Sequence, residues 1–309
     1  MRILVIGDFH GHMPVFLNKI FKKEKPDLIV SQGDFSGNDR ISKIFFKYYY
    51  AKNSRERKKI PKKIRNLKIK LERKSVESGI AILKKFKKLK KPFYAIRGNW
   101  DPVPYQWYYD IGGDSQIEKD PYLNKFNRVF EKGFELIDFK FKDLKDFVIV
   151  AGSSSTHPGK IDKKSLNRFL NKYKETDPVY AKRRIEIKKR QYHLREKRLI
   201  KAFQKARKSK KLTIFLTHNI PYNTKLDVIM AKNADKRAKG QHYGSYLDKV
   251  MIKRFKPNLV ICGHMHENPG IIKIGKTTVV NPGASLDKRY AVIELGKNKI
   301  KSVKLRRVK

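Results

Sequence analysis

Near its start the chain runs Ile3-Leu4-Val5-Ile6-Gly7-Asp8-Phe9-His10-Gly11-His12, an unbroken aliphatic stretch that stops at a glycine, a carboxylate and an imidazole. Such a run reads as a buried strand, and open α/β sheets bind their ligands at the carboxyl edge of the strands. Asp8 and His10 are two residues apart, so in extended geometry they lie on one side of the chain. A carboxylate beside an imidazole suits a borderline divalent ion such as Mn, Fe or Zn. Asp-x-His alone is a weak pattern, and its meaning depends on what other strand ends supply.

The same device recurs along the chain. Met13–Phe21 reads as a helix, with Pro14 in its first turn and Val15, Phe16 and Ile20 as its apolar face. Asp27–Gln32 is a second short buried strand ending at Gly33-Asp34, and this strand–helix–strand unit implies parallel pairing through a right-handed crossover. Phe93–Ile96 leads to Arg97-Gly98-Asn99-Trp100-Asp101, and Phe147–Ala151 leads to Gly152 and a serine run before His157. Leu212–Leu216 leads to Thr217-His218, and Asn258–Cys262 to Gly263-His264-Met265-His266. Ser245 is placed as the N-cap of a helix. The tail alternates over 271–274, 277–280, 290–295 and 300–305, with turn residues between, and reads as an antiparallel run.

Two segments differ in character. Residues 40–91 hold 21 Lys and Arg against three acids, and residues 160–211 hold 21 against five. Ile64, Leu67 and Leu71, then Val76, Ile80 and Leu83, follow helical spacing, and 180–208 lacks Gly and Pro. Both segments are therefore expected as basic helical insertions within one α/β domain spanning 1–309. They carry most of the formal net charge of +46. Thermophile ion-pair networks would need Glu to match the Lys, so the concentrated imbalance favours contact with nucleic acid or another polyanion. A solvated helix face is the plain alternative. Cys262 is the sole cysteine, which excludes a disulfide framework and points to a reducing compartment. With neither a signal leader nor an apolar stretch of spanning length, a soluble cytoplasmic protein without membrane contact is expected.

Five strand ends thus carry ligand-type residues: Asp8 with His10, Asp34, Asn99, His218, and His264 with His266. Asp, Asn and His without Cys point to a water-retaining hydrolytic site rather than a closed structural zinc site. The ligands are too many for one ion. Asp34, alone between two pairs, could bridge two, the layout of a binuclear centre with ions about 3.5–4 Å apart and a bridging water as nucleophile.

The ordered set GDFHGH, QGDFSGN, RGNWD, THNIP and GHMHE resembles the calcineurin-like metallophosphoesterase family. Gly240-Gln241-His242-Tyr243-Gly244-Ser245 and Val280-Asn281-Pro282-Gly283 are similar to its small bacterial and archaeal members. The resemblance implies a four-layer αββα sandwich with mixed sheets. It implies two divalent ions, Mn first with Fe, Zn or Ni as alternatives. Asp8, His10 and His266 would hold one ion, Asn99, His218 and His264 the other, with Asp34 bridging. The substrate would be a phosphoester, attacked in line at phosphorus by a metal-bridging hydroxide. In much of the family a His follows the Asn ligand and protonates the leaving group. Here that residue is Trp100, and an indole cannot act as an acid at neutral pH. A phosphodiesterase, or a preference for activated leaving groups, is therefore expected, or a proton drawn from His12, His157 or His242.

Asp34, Asn99, His12, His157 and His242 are accordingly the catalytic candidates, and Trp100, Tyr105 and Trp107 the substrate contacts, since aromatic rings stack bases. Core or lid packing is the plain reading of those rings. His193 reads as solvated, Asp101 as structural, Cys262 as a small core residue, and Ser245 as a helix cap. Two rivals stay open: a nuclease using the same metals on DNA or RNA, and a nucleic-acid-binding protein with a vestigial metal site.

Overall fold

The computed structural model describes residues 1–44, 62–103, 121–153 and 178–309, the last without 232–235 and 237, together with 161, 166, 167, 170 and 171. The first half runs β1 (Arg2–Val5), α1 (Leu17–Glu24), β2 (Leu28–Ser31), α2 (Asp39–Ile44), α3 (Lys62–Lys87), β3 (Phe93–Ala95), α4 (Pro121–Asn127) and β4 (Phe134–Leu136). The second runs β5 (Phe141–Asp143), β6 (Phe147–Ala151), α5 (Pro178–Ser209), β7 (Leu212–Leu216), α6 (Tyr246–Phe255) and β8 (Leu259–Ile261). Two hairpins close the chain, β9 (Gly270–Ile274) with β10 (Thr277–Asn281), and β11 (Arg289–Gly296) with β12 (Lys299–Arg307).

These strands form two mixed sheets, ordered β12-β11-β1-β2-β3-β4 and β5-β6-β7-β8-β10-β9. Strands β1 to β4 pair in parallel, as do β6, β7, β8 and β10. The layering follows from alternation along each strand. Ile3 and Val5 of β1 join Ile149, Ile214 and Ile261 in a core between the sheets. Leu4 and Ile6 point the other way, under Leu17 and Ile20 of α1 and Val76, Leu83 and Phe86 of α3. On the far sheet Val148, Phe215 and Val260 are covered by Leu199 and Phe203 of α5 and Leu247 and Met251 of α6. The result is a four-layer αββα sandwich. Strands buried on both faces must be apolar throughout, which is why β1 and β6 read as unbroken runs.

Two local expectations need correction. The first helix starts at Leu17 rather than Met13, because Leu17 N–H closes a turn onto the Pro14 carbonyl at 3.0 Å. Its buried face is therefore Leu17 and Ile20, and Val15 is 79% exposed. The tail is not one antiparallel run. β10 lies parallel to β8 in one sheet, while β11 lies antiparallel to β1 in the other. Alternation specified strands but not which sheet each joins.

The two basic segments are helical where described, and each also supplies an outer layer. Helix α3 runs back toward β3, so its N-terminal end lies at the carboxyl edge of the sheet. Gly79 backs onto Ser36 and Ser78 onto Gly11, in the loops after β2 and β1. Among the described residues before Leu71, none of its side chains is buried. Helix α5 has the same sense toward β7. Arg195, 3% exposed, donates from Nη2 to the Ser153 carbonyl at the end of β6 at 2.9 Å. Among the described residues no helix is long and apolar enough to cross a membrane.

The loop after β3 is fastened by a buried ion pair. Arg97 pairs through Nη1 with Asp138, donates its backbone N–H to the same carboxylate at 2.8 Å, and donates Nε to the Pro102 carbonyl at 2.7 Å. Removing one partner of a buried pair strands the other charge, which costs about 3–5 kcal/mol. Asp138→Ala is thus expected to lower unfolding free energy by that amount in a denaturant titration. A loss below about 1 kcal/mol would show that the loop is held by something else.

Candidate metal centre

Every strand end singled out in the sequence opens on one edge of the sandwich, over the seam between its sheets. Asp8, His10, Asp34 and Asn99 come from the first sheet, and His218, His264 and His266 from the second. The chain does not deliver them in extended geometry. Asp8, His10, Asp34 and His264 all take left-handed backbone angles, with φ of 54°, 48°, 56° and 71°. Asp, Asn and His tolerate that region better than other side chains, yet each such residue still carries strain that its surroundings must hold. Neighbouring glycines permit the close packing. A Cβ at Gly98 would land on the Asp34 carboxylate, and one at Gly263 on the Asp8 carboxylate.

Two groups of side chains have all their ligand atoms within 4.8 Å: Asp8, His10 and His266, and Asp8, Asp34 and His218. In the first, the Nε2 atoms of His10 and His266 face each other at 3.0 Å, and His266 Nε2 lies 3.6 Å from Asp8 Oδ1. In the second, His218 Nε2 lies 3.4 Å from Asp34 Oδ2 and 2.9 Å from Asn99 Oδ1. His264 Nδ1 reaches the same Asn99 oxygen at 3.0 Å. Asp8 is common to both groups, and Asp34, a member of the second, also meets the first, with His10 Nε2 3.4 Å from its Oδ2. That oxygen is buried and has no hydrogen-bond partner among the described residues.

The frame around these atoms is fixed by neighbours of the ligands in the quoted motifs and by Asp248. Gln32 donates Nε2 to Asp8 Oδ2 at 3.1 Å, and its carbonyl accepts His218 Nδ1 at 2.8 Å, which leaves His218 Nε2 facing Asp34. The Trp100 backbone N–H holds Asp34 Oδ1 at 2.8 Å. Asp101 is structural, as expected beside Asn99. It is wholly buried and accepts the backbone N–H groups of Ser36 and Gly98 at 2.9 and 2.8 Å, tying the second and third loops together. Ser245 caps α6 by accepting the Asp248 N–H at 3.1 Å, and Asp248 in turn accepts Thr217 Oγ1 at 2.8 Å, beneath His218. Gln32 closes an apolar strand and Asp248 sits inside a helix, so neither carries a local signal.

Burial and mutual charge act together on the titratable groups of this cluster. Burial works to neutralise Asp8 and Asp34, but the surrounding histidines outweigh it and hold both carboxyls below their usual range. Burial works against the His218 cation too, yet Asp34 and Asp8 outweigh it and lift that imidazole to about 9. His264 is pushed the other way, to about 3, by burial and by the neighbouring His218. Asp101 is raised to about 7 by burial and by Asp34.

These features accord with one family. Its model, "Calcineurin-like phosphoesterase", matches residues 1–268. The chain belongs to the calcineurin-like phosphoesterase family. An uncharacterized Methanocaldococcus jannaschii protein, MJ1162, is 30% identical over 185 residues, 55% of this chain and 78% of that one. The crystal structure of TT1561 of Thermus thermophilus aligns over 100% of this chain and 99% of its own, with a TM-score of 0.53 and 16% identity. Another solved chain aligns over 99% of this chain and 98% of its own, with a TM-score of 0.59 and 15% identity. At such identities the likeness is one of fold. Members of this calcineurin-like family are hydrolases of phosphoesters that use divalent metals.

The remaining candidates are distributed unevenly. His12 is half-exposed, with Nε2 3.5 Å from Asp39 Oδ1. His242 pairs with Asp227 at 2.8 Å, and the next ring, Tyr243, stacks on His264 with centroids 6.0 Å apart. Trp100 lies edge-on to His10, with centroids 6.0 Å apart. His157, Tyr105 and Trp107 lie outside the described residues.

Proposed function

We propose that this calcineurin-like phosphoesterase is a binuclear metal-dependent phosphodiesterase. Asp8, His10 and His266 would hold one divalent ion, Asn99, His218 and His264 the other, and Asp34 both, with Mn the first choice of metal. The observation that carries this reading is Asp34 Oδ2, a buried carboxylate oxygen without a hydrogen-bond partner among the described residues, at 3.4 Å from both His10 Nε2 and His218 Nε2. A buried carboxylate is costly unless it is paired or coordinates a metal; among the described residues only two imidazoles face this oxygen, and a cation on either side would take their place as its partner. When bound, two such ions supply an activated water for in-line attack and neutralise charge on the phosphoryl oxygens.

The chain's own residues set the rest. Gln32 and the Trp100 N–H orient the two carboxylates, and Gln32 also fixes the His218 tautomer. The indole of Trp100 occupies the position after Asn99 and has no proton to give a departing alkoxide. His242, backed by the Asp227 carboxylate and one residue from the ring that covers His264, has the form of a general acid; His12 and His157 are the other donors. Loss of the usual acid penalises a monoester with a poor leaving group most, which supports diesters as substrates. With Mn, bis-p-nitrophenyl phosphate is expected to exceed p-nitrophenyl phosphate by at least about tenfold in kcat/KM, about 1.4 kcal/mol of transition-state discrimination. A monoester preference would overturn the diester assignment, and no metal-dependent hydrolysis of either would overturn the whole reading.

A further inference from the structure

We propose that the edge carrying the metal ligands is the floor of a cleft for single-stranded nucleic acid, walled on either side by the N-terminal halves of α3 and α5. The proposal rests on the phosphodiesterase reading only for what happens to a strand once it is bound. Both helices run back toward a parallel strand, so both begin at the carboxyl edge. The level of that edge is marked on α3 by Ser78 and Gly79 against the metal loops, and on α5 by Arg195 against Ser153. Everything N-terminal to those marks stands toward or beyond the edge. At 1.5 Å per residue, Lys62–Lys70 alone extends about 13 Å. α3 lies over the first sheet and α5 over the second, so the walls rise on opposite sides of the seam in which the ligands lie.

The composition of these halves singles them out. Residues 62–74 hold seven Lys and Arg against one acid, and residues 178–194 hold six against one. Lys62, Lys63, Lys70, Arg73 and Lys74 are exposed on α3, and Lys182, Arg183 and Arg190 on α5. A helix ordinarily gains its stability by burying an apolar stripe. The first turns of α3 bury none among their described residues, and Leu67 and Ile69 remain 40% and 50% exposed. Like charges one turn apart, such as Lys70 and Lys74, repel. Apart from the Lys68–Glu72 pair at 2.9 Å, the stretch is rich in like charge and little buried, and it gains from a polyanion lying along it, because each neutralised phosphate releases its counterions.

The floor favours one strand over a duplex. Asp8, Asp34 and His218 are essentially fully buried beneath the loops. Trp100, part-exposed beside His10, offers an aromatic face, which suits an unpaired base.

The test uses the full-length chain carrying Asp34→Asn in EDTA, so that binding is read without hydrolysis, by fluorescence anisotropy of a labelled 20-nucleotide oligo(dT). Contact with about six phosphates predicts about 340-fold weaker binding at 200 mM than at 50 mM salt. Two charge reversals carry the proposal: Lys62, Lys63, Lys70 and Lys74 to Glu on α3, and Lys182, Arg183 and Lys189 to Glu on α5. Each is expected to weaken binding at least about twentyfold and flatten the salt dependence. The control reverses Lys297, Lys299, Lys301 and Lys304, at the hairpin end beside Met1 on the opposite edge, and should change affinity less than about threefold. Equal loss from the control would overturn the cleft, since charge anywhere would then serve. Tighter binding of duplex, or of inorganic polyphosphate at equal phosphate, would overturn the single-strand assignment. If oligo(dT) fails to bind while bis-p-nitrophenyl phosphate is still hydrolysed by the unmutated chain, this inference falls and the phosphodiesterase reading stands. Tight binding without any hydrolysis gives the reverse.

Discussion

Asp34→Asn is expected to lower metal-dependent kcat/KM on bis-p-nitrophenyl phosphate by at least about a thousandfold. The substitution is nearly isosteric. The Asn oxygen can still accept the Trp100 N–H that Asp34 Oδ1 holds at 2.8 Å. What changes is the atom between His10 and His218, where an amide nitrogen with no free lone pair replaces a carboxylate oxygen. Loss of a mere outer partner of a metal ligand costs about 10–100-fold, and Asp34 touches both groups of ligands. A thousandfold corresponds to about 4 kcal/mol of transition-state stabilisation. Metal content by elemental analysis should fall with activity, while the circular dichroism of the metal-free variant matches that of the parent. Activity within tenfold of the parent, with metal retained, would show that Asp34 is not shared.

Chelation is expected to lower the melting temperature by about 10 °C at pH 8 relative to Mn-loaded protein. Saturation at a thousand times the dissociation constant contributes about 4 kcal/mol, and each kcal/mol is worth about 2–4 °C in a chain of this order. The pH dependence has a definite sign. Without metal, His218 sits at about 9 against an ordinary value of 6.5, so its contribution to stability is present below 6.5 and lost as pH rises through about 9. A metal needs the same nitrogen deprotonated. The melting temperature of the chelated protein should therefore fall across that window while the metal-induced increase grows, and Mn binding at pH 7.5 should release protons in calorimetry repeated in buffers of different ionisation enthalpy. His264, already neutral at about 3, does not compete. A metal-induced increase that is flat between pH 6.5 and 9 would show that His218 is not displaced.

Much of the site is legible because strands buried on both faces leave little choice of residue. Within about four residues of where β1, β2, β3, β7 and β8 stop being apolar stand the side chains gathered at the edge. The pairing of Asp8 with His10 was legible for an imperfect reason. Extended geometry would set them side by side, whereas the chain turns through two left-handed residues and gathers both with His266 in one group. The roles of Gln32 and Asp227 were not legible, since each acts on a partner, 186 and 15 residues away, that the local pattern does not name. Gln32 reaches His218, and Asp227 holds both His242 and the Gly244 N–H. The sheet assignment of the tail was hidden for the same reason. A period of two says that a strand has two faces and nothing about its neighbours.

The outermost strand of the first sheet carries a consequence of its own. β12 is nine residues long and, among the described residues, pairs only with β11, which leaves one side of its backbone as a template for another chain. Its exposed side chains are Lys299, Lys301, Lys304, Arg306 and Arg307. A second copy approaching edge to edge would bring those cations against its own identical row, which is how natural sheets blunt an open border. Lysine and arginine on this strand thus keep the molecule from polymerising through its own sheet.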